Sequence, residues 1–389
     1  MATQYHYIIT GAGCAGLSLL YRMMQHPFFN NKEILVIDQS PKNKNDRTWC
    51  FWEQHPGVFE EIVHHRWNQI DFFSDSFSAR FDLAPHQYKM IRSIDFYNYV
   101  LQKAKQKPNI HFKNTTVKAV VNNNENKTAS VWADEEIYTA DYVFNSISLQ
   151  DHGVNTEKKS NSYYYLLQHF KGWLIETPSN FFDDRIATFM DFRVSQQHGT
   201  TFFYMLPVAP NKALVEYTLF TENLLEQQEY DTALKQYINE YLKLENYTIT
   251  EQEFGVIPMT NSPFSKGEGR IVNIGTAGGQ TKASSGFTFR FIQKHSDAIV
   301  NKLVNEKDLH TAGSFTKQRF NLYDSVLLNI LQNRKMGGDK IFAELFKKNP
   351  PQRVLKFLDN ETNFSEELKI MGSVPTAFFF PAAINELLK

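Results

Sequence analysis

The residues best suited to chemistry form a glycine string near the N-terminus. Gly11, Gly13 and Gly16 fit the pattern G-x-G-x-x-G between a short apolar run and a segment with helical spacing. In that motif the first glycine makes a tight turn, the second lets the backbone approach a pyrophosphate, and the third lets helix and strand pack closely. Asp38 ends the next apolar run, where a carboxylate can hold ribose hydroxyls. The combination predicts a unit that binds the ADP half of a dinucleotide; an ordinary glycine-rich turn and a solvated strand end are the alternatives.

A second glycine-rich turn favours FAD as that dinucleotide. Gly275, Gly278 and Gly279 follow the apolar run RIVNI, far along the chain from the first motif. Two-part FAD folds bring a late strand and turn back to the cofactor, whereas a simple NAD dehydrogenase has little use for them. A plain strand–helix connection is the alternative interpretation. Arg92, just before a predicted helix, could contact the cofactor or form a surface ion pair.

Three carboxylates lie in or beside apolar segments. Glu216 belongs to the run ALVEYTLF, where strand alternation could turn it toward an apolar pocket. A carboxyl buried in such a pocket resists ionisation and can donate a proton, but the pattern by itself fits an exposed glutamate better. Asp191 and Glu53 are weaker candidates of the same kind, and Asp191 could instead pair with the arginine two positions after it.

Composition excludes several classes of protein. The chain has 389 residues, of which 42% are hydrophobic and 21% charged, as expected of a globular protein with two or three structural units. A formal net charge of −1 gives no indication of a nucleic-acid partner. Cys14 and Cys50 match no disulfide, zinc or redox spacing, so we expect a reducing compartment and no metal site. The sequence shows neither a targeting pattern at its N-terminus nor a continuous apolar run of bilayer length.

The elements that must position these residues fall into three groups. Apolar runs and helical patterns around both glycine turns predict an α/β, Rossmann-like unit, and the aromatic, strand-rich stretch 163–217 predicts a mainly antiparallel second sheet. The pattern after 315 is mainly helical. Because strands return to the first sheet after long excursions, we expect interleaved domains. The predicted ranges are 1–65, 86–155 and 255–310 for the dinucleotide domain, 66–85 and 156–254 for the substrate domain, and 311–389 for the helical C-terminal region.

Taken together, the motifs resemble those of the bacterial lycopene β-cyclases of carotenoid biosynthesis. The resemblance extends from about Tyr7 to the aromatic triplet at 378–380. It rests on five strings: GAGCAGL at 11–17, RTWCFW at 47–52, YKMIRSIDF at 88–96, LVEYT at 214–218 and IGTAGGQTKASSGFTF at 274–289. The first string is common to all FAD folds of this type, whereas the combination is specific. The fold implied is the two-part, aromatic-hydroxylase-like FAD fold, with an interleaved substrate sheet and a helical C-terminal region.

The resemblance also implies an activity. Members of this family need reduced FAD, supplied with electrons from NAD(P)H, and convert the acyclic ends of lycopene to β-ionone rings, giving γ- or β-carotene without net redox change. Their essential acid lies in a strand of the pattern Leu-apolar-Glu-x-Thr, which falls on Glu216 here. Asp191 or Glu53 would assist as a second acid or as a cation stabiliser. The implied location is cytoplasmic, peripheral on the inner face of the cytoplasmic membrane, with aromatic residues at 378–380 or the helical region 315–346 as the contact and a buried C-terminal plug as the alternative.

Three alternatives keep the same N-terminal unit. A flavin monooxygenase and a geranylgeranyl-reductase-like enzyme share the expected fold, and a flavin-free carotenoid or lipid carrier would retain it as a vestige. Flavin hydroxylases usually place Gly-Asp at the second turn, whereas Thr276 follows Gly275 here. That departure weakens the hydroxylase interpretation and leaves backbone amides available for FAD.

Overall fold

The computed structural model describes residues 3–147, 163–310 and 315–389, and the side chains of all of these except 3 and 315–317. The strands are β1 Thr3–Thr10, β2 Ile34–Asp38, β3 Thr48–Glu53, β4 His65–Trp67, β5 Gln69–Phe73, β6 Ser78–Asp82, β7 Gln87–Arg92, β8 Ile110–Asn114, β9 Val117–Asn123, β10 Thr128–Ala133, β11 Glu136–Asn145, β12 Tyr165–Glu176, β13 Ile186–Asp191, β14 Thr200–Ala209, β15 Lys212–Thr221, β16 Thr248–Thr260 and β17 Ile271–Asn273. The helices are α1 Cys14–Gln25, α2 Ser93–Ala104, α3 Gln227–Glu240, α4 Phe289–Val304, α5 Phe315–Gln332, α6 Gly338–Lys348, α7 Pro351–Leu358, α8 Phe364–Ser373 and α9 Thr376–Leu387.

The first sheet is a Rossmann-like layer in the order β8-β2-β1-β11-β10-β9, with β17 paired to β11. Strands β8, β2, β1, β11 and β17 run parallel, and β9–β10–β11 form an antiparallel meander. Strand β2 reads ILVID because a central parallel strand is buried on both faces. Helices α1, α2 and α4 pack against the sheet in one apolar cluster. Strand β17 therefore returns to the first sheet late in the chain, as the interleaved organisation requires.

The second sheet is mainly antiparallel, in the order β16-β12-β15-β14-β13-β5-β6. One face packs against the C-terminal helices in the largest apolar cluster, and the other face packs against α3. The predicted domain boundary at 254/255 falls inside β16, which pairs with β12 along its whole length. The predicted boundaries at 155/156 and 310/311 each involve residues outside the described ranges.

The third sheet is small and joins the two larger ones. Its order is β3-β7-β4, with antiparallel pairing.

A buried ion pair fastens the C-terminal helices to the segment after the second glycine turn: Lys282 Nζ lies 2.5 Å from Asp324 Oδ1 and 2.8 Å from Asn360 Oδ1.

Among the residues that the structure describes, no helix is both long enough and apolar enough to cross a bilayer.

Candidate active site

One cavity of about 530 Å³ connects the glycine turns of the first sheet with the second sheet. Its lining includes Gly13 and Gly275 from the two turns, and Glu216 from β15. The predicted cofactor loops and the predicted acid therefore face one space. The other lining residues used below are Cys14, Ala15, Lys42, Cys50, Tyr88, Ser146, Gln168, Tyr204, Leu206, Leu214, Thr276 and Phe287.

The first turn is built so that only Gly13 presents bare backbone to the cavity. Gly11 has φ +91°, and a Cβ there would lie 2.2 Å from Ser146 Oγ. A Cβ on Gly16 would lie 1.9 Å from the Gly11 carbonyl oxygen, so close packing of α1 on the turn requires glycine. A Cβ on Gly13 would meet no atom of the described residues within 4 Å. The open space over Gly13, at the N-terminus of α1, is what an approaching anion needs.

Asp38 holds this turn from the end of β2. Its Oδ2 accepts a hydrogen bond from the backbone N–H of Ala12 at 2.6 Å, and its Oδ1 accepts one from Ser40 N–H at 2.7 Å. Lys42 Nζ lies 3.2 Å from Oδ2 and lines the cavity. The carboxylate thus sits beside the turn as the motif predicts, and its role toward a ribose remains a prediction.

The second turn lies against the start of α1. Gly275 has φ +61°, and a Cβ there would lie 2.7 Å from Ala15 Cβ. Gly275 and Thr276 line the cavity, whereas Gly278 and Gly279 shape the turn behind it, Gly279 with φ +70° as its left-handed final residue.

Arg92 does not face the same cavity. Its guanidinium binds both oxygens of Asp95, at 2.7 and 2.9 Å, and it lines a separate, smaller cavity. This is the ion pair that the sequence left open as an alternative to cofactor contact.

Glu216 lines the large cavity from strand β15. Its side chain is half-buried, and its accessible part faces the cavity. Thr218 Oγ1 donates a hydrogen bond to Glu216 Oε1 at 2.8 Å. Burial, and next the negative charge of Glu253, hold the pKa of Glu216 well above its usual range. Both influences favour the protonated form of the carboxyl, which is the form that can act as an acid.

Glu253 is the residue that the sequence reasoning missed. The register of the second sheet places four residues side by side on neighbouring strands: Tyr204 on β14, Glu216 on β15, Gly172 on β12 and Glu253 on β16. Laterally paired residues share a face of a sheet, so the two carboxyls point the same way with only Gly172 between them. An isolated glycine inside the apolar strand β12 was a signal of close approach, but its partners depend on long-range pairing.

The two further candidate acids have structural partners. Asp191 is 0% exposed, pairs with Arg193 at 2.6 Å and accepts a hydrogen bond from Tyr237 of α3 at 2.9 Å, which turns it toward α3. Glu53 Oε1 lies 3.0 Å from Lys89 Nζ. Neither carboxylate is part of the cavity lining, so their predicted assistance in catalysis gains no support from position and stays a prediction.

Aromatic rings surround the acid. Tyr88, Tyr204 and Phe287 line the cavity, and Phe189 packs between them, with its ring centroid 5.3 Å from that of Tyr88. Two of the sequence strings that carry the family resemblance, 47–52 and 274–289, meet here. Trp52 packs edge-on against Phe287, with 4.7 Å between the ring centroids. These faces offer π density and exclude water around Glu216.

The lining also fits a dinucleotide with a polar ring. The bare backbone at Gly13 and the N-terminus of α1 suit a pyrophosphate. Gln168 Oε1 is buried in the lining and has no hydrogen-bond partner within residues 3–147, 163–310 and 315–389, so it can accept a bond from a ligand N–H.

Comparison with known proteins agrees with this geometry. The profile of the family described as "Lycopene cyclase protein" matches residues 7–387. "Lycopene beta-cyclase" of Pantoea ananas is 28% identical over 277 residues, which is 67% of this chain and 64% of that protein, slightly less than two thirds of the relative's length.

Solved structures show the fold. A geranylgeranyl bacteriochlorophyll reductase-like protein of Thermoplasma acidophilum superposes with a TM-score of 0.66 at 12% identity, covering 100% of this chain and 99% of that one. A flavoprotein/dehydrogenase of Cytophaga hutchinsonii superposes with a TM-score of 0.65 at 8% identity, with 99% of each chain covered. A flavin-dependent brominase superposes with a TM-score of 0.62 at 12% identity, covering 95% of this chain and 98% of that one. The predicted two-part, aromatic-hydroxylase-like fold is thereby confirmed.

Proposed function

The chain belongs to the lycopene cyclase family, and from that premise we propose that it is an FAD-dependent lycopene β-cyclase, an isomerase that closes the acyclic ends of lycopene to β-ionone rings. The observation that carries the proposal is that Glu216, kept protonated by burial, shares one cavity with both glycine turns. An acid next to a dinucleotide site suits a reaction that begins with protonation of an alkene.

Glu216 starts the reaction as a general acid. Its proton goes to C2 of the terminal C1=C2 bond, which leaves a tertiary cation at C1. The C5=C6 π electrons form the C1–C6 bond and move the cation to C5, and loss of the C6 proton gives the C5=C6 bond of the β ring. One proton enters and one leaves, so the product is an isomer of the substrate.

The cavity must protect the cation from water. Tyr88, Tyr204 and Phe287 line it beside the acid, and each aromatic face can stabilise a desolvated cation by about 0.5–2 kcal/mol. Gly13, Gly275 and Gln168 would hold FAD, with NAD(P)H as the source of electrons. When bound in its reduced form, FAD supplies negative charge near the ring that closes, without net electron transfer.

Incubation of the reduced, FAD-loaded protein with lycopene in lipid tests the proposal. We expect a monocyclic or bicyclic product of unchanged mass, identified by chromatography and mass spectrometry. A gain of oxygen would indicate a monooxygenase and a gain of hydrogens a reductase, and either result would refute the cyclase. Protein that takes up no flavin and converts nothing would instead indicate a carrier.

A membrane contact on the cytoplasmic face is proposed as well, because lycopene is a long hydrocarbon that resides in the bilayer. Two consecutive helices expose apolar residues at helical spacing: Phe364, Leu368 and Met371 on α8, and Phe380, Ile384 and Leu387 on α9. Phe380 is 62% exposed, whereas the adjacent Phe379 packs against the core. An amphipathic face of this kind binds in the interfacial layer of a membrane.

A further inference from the structure

Two carboxyl groups face each other across a residue that has no side chain. Gly172 on β12 is paired with Glu216 on one side and Glu253 on the other. A Cβ on Gly172 would lie 3.0 Å from Glu253 Cγ and 3.2 Å from Glu253 Oε1. The Glu253 side chain therefore occupies the space over Gly172 and extends toward Glu216.

The pair also separates two cavities. Glu216 lines the large cavity, and Glu253 lines a small one of about 30 Å³. That volume accommodates about two water molecules. Glu251 and Gln252, which are exposed, form part of the wall of the small cavity. Water on this side of the pair can thus reach Glu253 without entering the substrate cavity.

Glu253 has an unsatisfied acceptor in this arrangement. Its Oε1 is buried, and no donor among the described residues forms a hydrogen bond with it. Buried polar atoms in native proteins are nearly always paired. A proton on Glu216 supplies the missing donor, as in other carboxyl pairs that share one proton.

We infer that Glu253 is a positioning residue that shares one proton with Glu216 and reloads it through the small cavity after each turnover. The inference rests on the proposed function. In the resting pair Glu216 carries the proton and Glu253 is ionised. Transfer to C2 breaks the Glu216 O–H bond and leaves two facing carboxylates. A proton from water in the small cavity then goes to Glu253 and passes to Glu216, while the proton lost from C6 returns to solvent, so none is consumed overall.

The charges around the pair agree with this order of protonation. The ionisable groups that face Glu216 are Glu253, Tyr204, Tyr88 and Cys50. Those that face Glu253 are Glu216, Glu251 and Arg47, with His64 and Arg92 across the small cavity. Burial raises the pKa of the phenols and the thiol, so they stay neutral. Burial also raises the pKa of Glu253, but Thr48, Glu216 and Arg47 oppose that rise. The Thr48 hydroxyl and the Arg47 guanidinium thus favour the ionised form of Glu253.

The pH profile of Glu253→Gln tests the pair. In the wild type, activity disappears as pH rises through the raised pKa of Glu216. Removing the Glu253 charge lowers that pKa, so we expect the alkaline limb of kcat to move about one pH unit toward acid. Loss of reloading should also lower kcat about tenfold on the acid side of the profile, less than the roughly 10²–10⁴-fold that the general acid itself contributes, with KM unchanged. An unmoved limb or an unchanged kcat overturns the inference.

Gly172→Ala provides a second variant that keeps both carboxyls. Its methyl group would lie 3.0 Å from Glu253 Cγ and 3.1 Å from Leu214 Cδ1, so both side chains must shift and Glu253 moves away from Glu216. We expect the same limb shift and kcat loss. Glu176→Gln, in the same strand at an exposed ion pair with Lys212, is the matched control and should behave as wild type. Normal kinetics in Gly172→Ala would contradict the shared proton.

An infrared measurement separates this inference from the proposed function because it needs no substrate. The C=O band of the protonated carboxyl should persist above the usual pH range in wild type, disappear in Glu216→Gln, and titrate at lower pH in Glu253→Gln. If this pattern is found and lycopene is not cyclised, the proposed function fails and the pair stands. If lycopene is cyclised and the band titrates identically with and without Glu253, the pair fails alone.

Discussion

Replacement of Gly13 by valine should remove the cofactor and leave the fold intact. In the part of the chain that the structure describes, a Cβ at this position would meet no atom within 4 Å, and Gly13 has extended backbone with φ −83°, which any residue adopts. The unfolding free energy of the cofactor-free protein should therefore change by no more than about 0.5 kcal/mol. Gly16→Ala, in contrast, should lower the unfolding free energy itself, because its Cβ would lie 1.9 Å from a backbone oxygen.

The cost in cofactor binding follows from what the new side chain displaces. Forcing extra carbons into a packed contact costs about 1–3 kcal/mol, and losing a hydrogen bond to a charged pyrophosphate costs about 1.5–3 kcal/mol. The turn cannot move aside, because Gly11 and Gly16 are confined by Ser146 and by each other. A total of about 2.5–6 kcal/mol corresponds to roughly 10²- to 10⁴-fold weaker FAD binding.

Two measurements check this. Thermal unfolding of the cofactor-free forms should be the same for wild type and Gly13→Val. Added FAD should raise the midpoint of the wild type alone, because only a ligand that binds the native state stabilises it. Gly13→Ala should give an intermediate affinity. Normal flavin stoichiometry in Gly13→Val would show that the pyrophosphate does not approach this turn.

The remaining predictions concern the acid, a buried histidine and the membrane face. Glu216→Gln should abolish cyclisation with FAD content unchanged, and more than a few per cent of residual activity would remove Glu216 from the acid role. Burial lowers the pKa of His169 to about 4, so from about pH 7 to about pH 5 the unfolded chain gains a proton that the folded chain does not. The unfolding free energy should fall by up to about 2 kcal/mol over that range through this group, and denaturant titrations of His169→Gln should show a weaker pH dependence. Serine at Phe380 and Leu387 should weaken liposome binding at least tenfold, since each side chain contributes up to about 1.5–3 kcal/mol when buried; unchanged flotation would place the membrane contact elsewhere.

Local features of the site were predictable from the sequence because their physics is local. The first turn needs glycine where φ is positive or where α1 crosses closely, and Asp38 follows at the end of the next strand, so one short stretch contains the motif. Glu216 could be identified only through family resemblance, since alternation alone does not distinguish a cavity from solvent. Arg92 illustrates the same limit, because the sequence alone could not distinguish an ion pair with Asp95 from a contact with the cofactor.

Glu253 required the register of three strands. Residues 172, 216 and 253 are far apart in the chain, and a shift of one residue in β16 would turn Glu253 to the opposite face of the sheet. The direction of Asp191 depends on tertiary packing in the same way, since it is the hydroxyl of Tyr237 on α3 that shows which face it uses.

The chemistry of this site is decided in the second sheet. The fold that carries the glycine turns also occurs in a reductase-like protein, a dehydrogenase and a brominase, so the turns by themselves are compatible with different reactions. What differs must lie where the substrate is held. A redox enzyme needs its substrate sheet only to position a molecule beside the cofactor, whereas a cyclase also needs a neutral acid that is reloaded without admitting water to a carbocation. Under the proposed function, the row Tyr204, Glu216, Gly172 and Glu253 would meet both demands, because the acid lines the large cavity and its carboxyl partner lines the small, water-sized one.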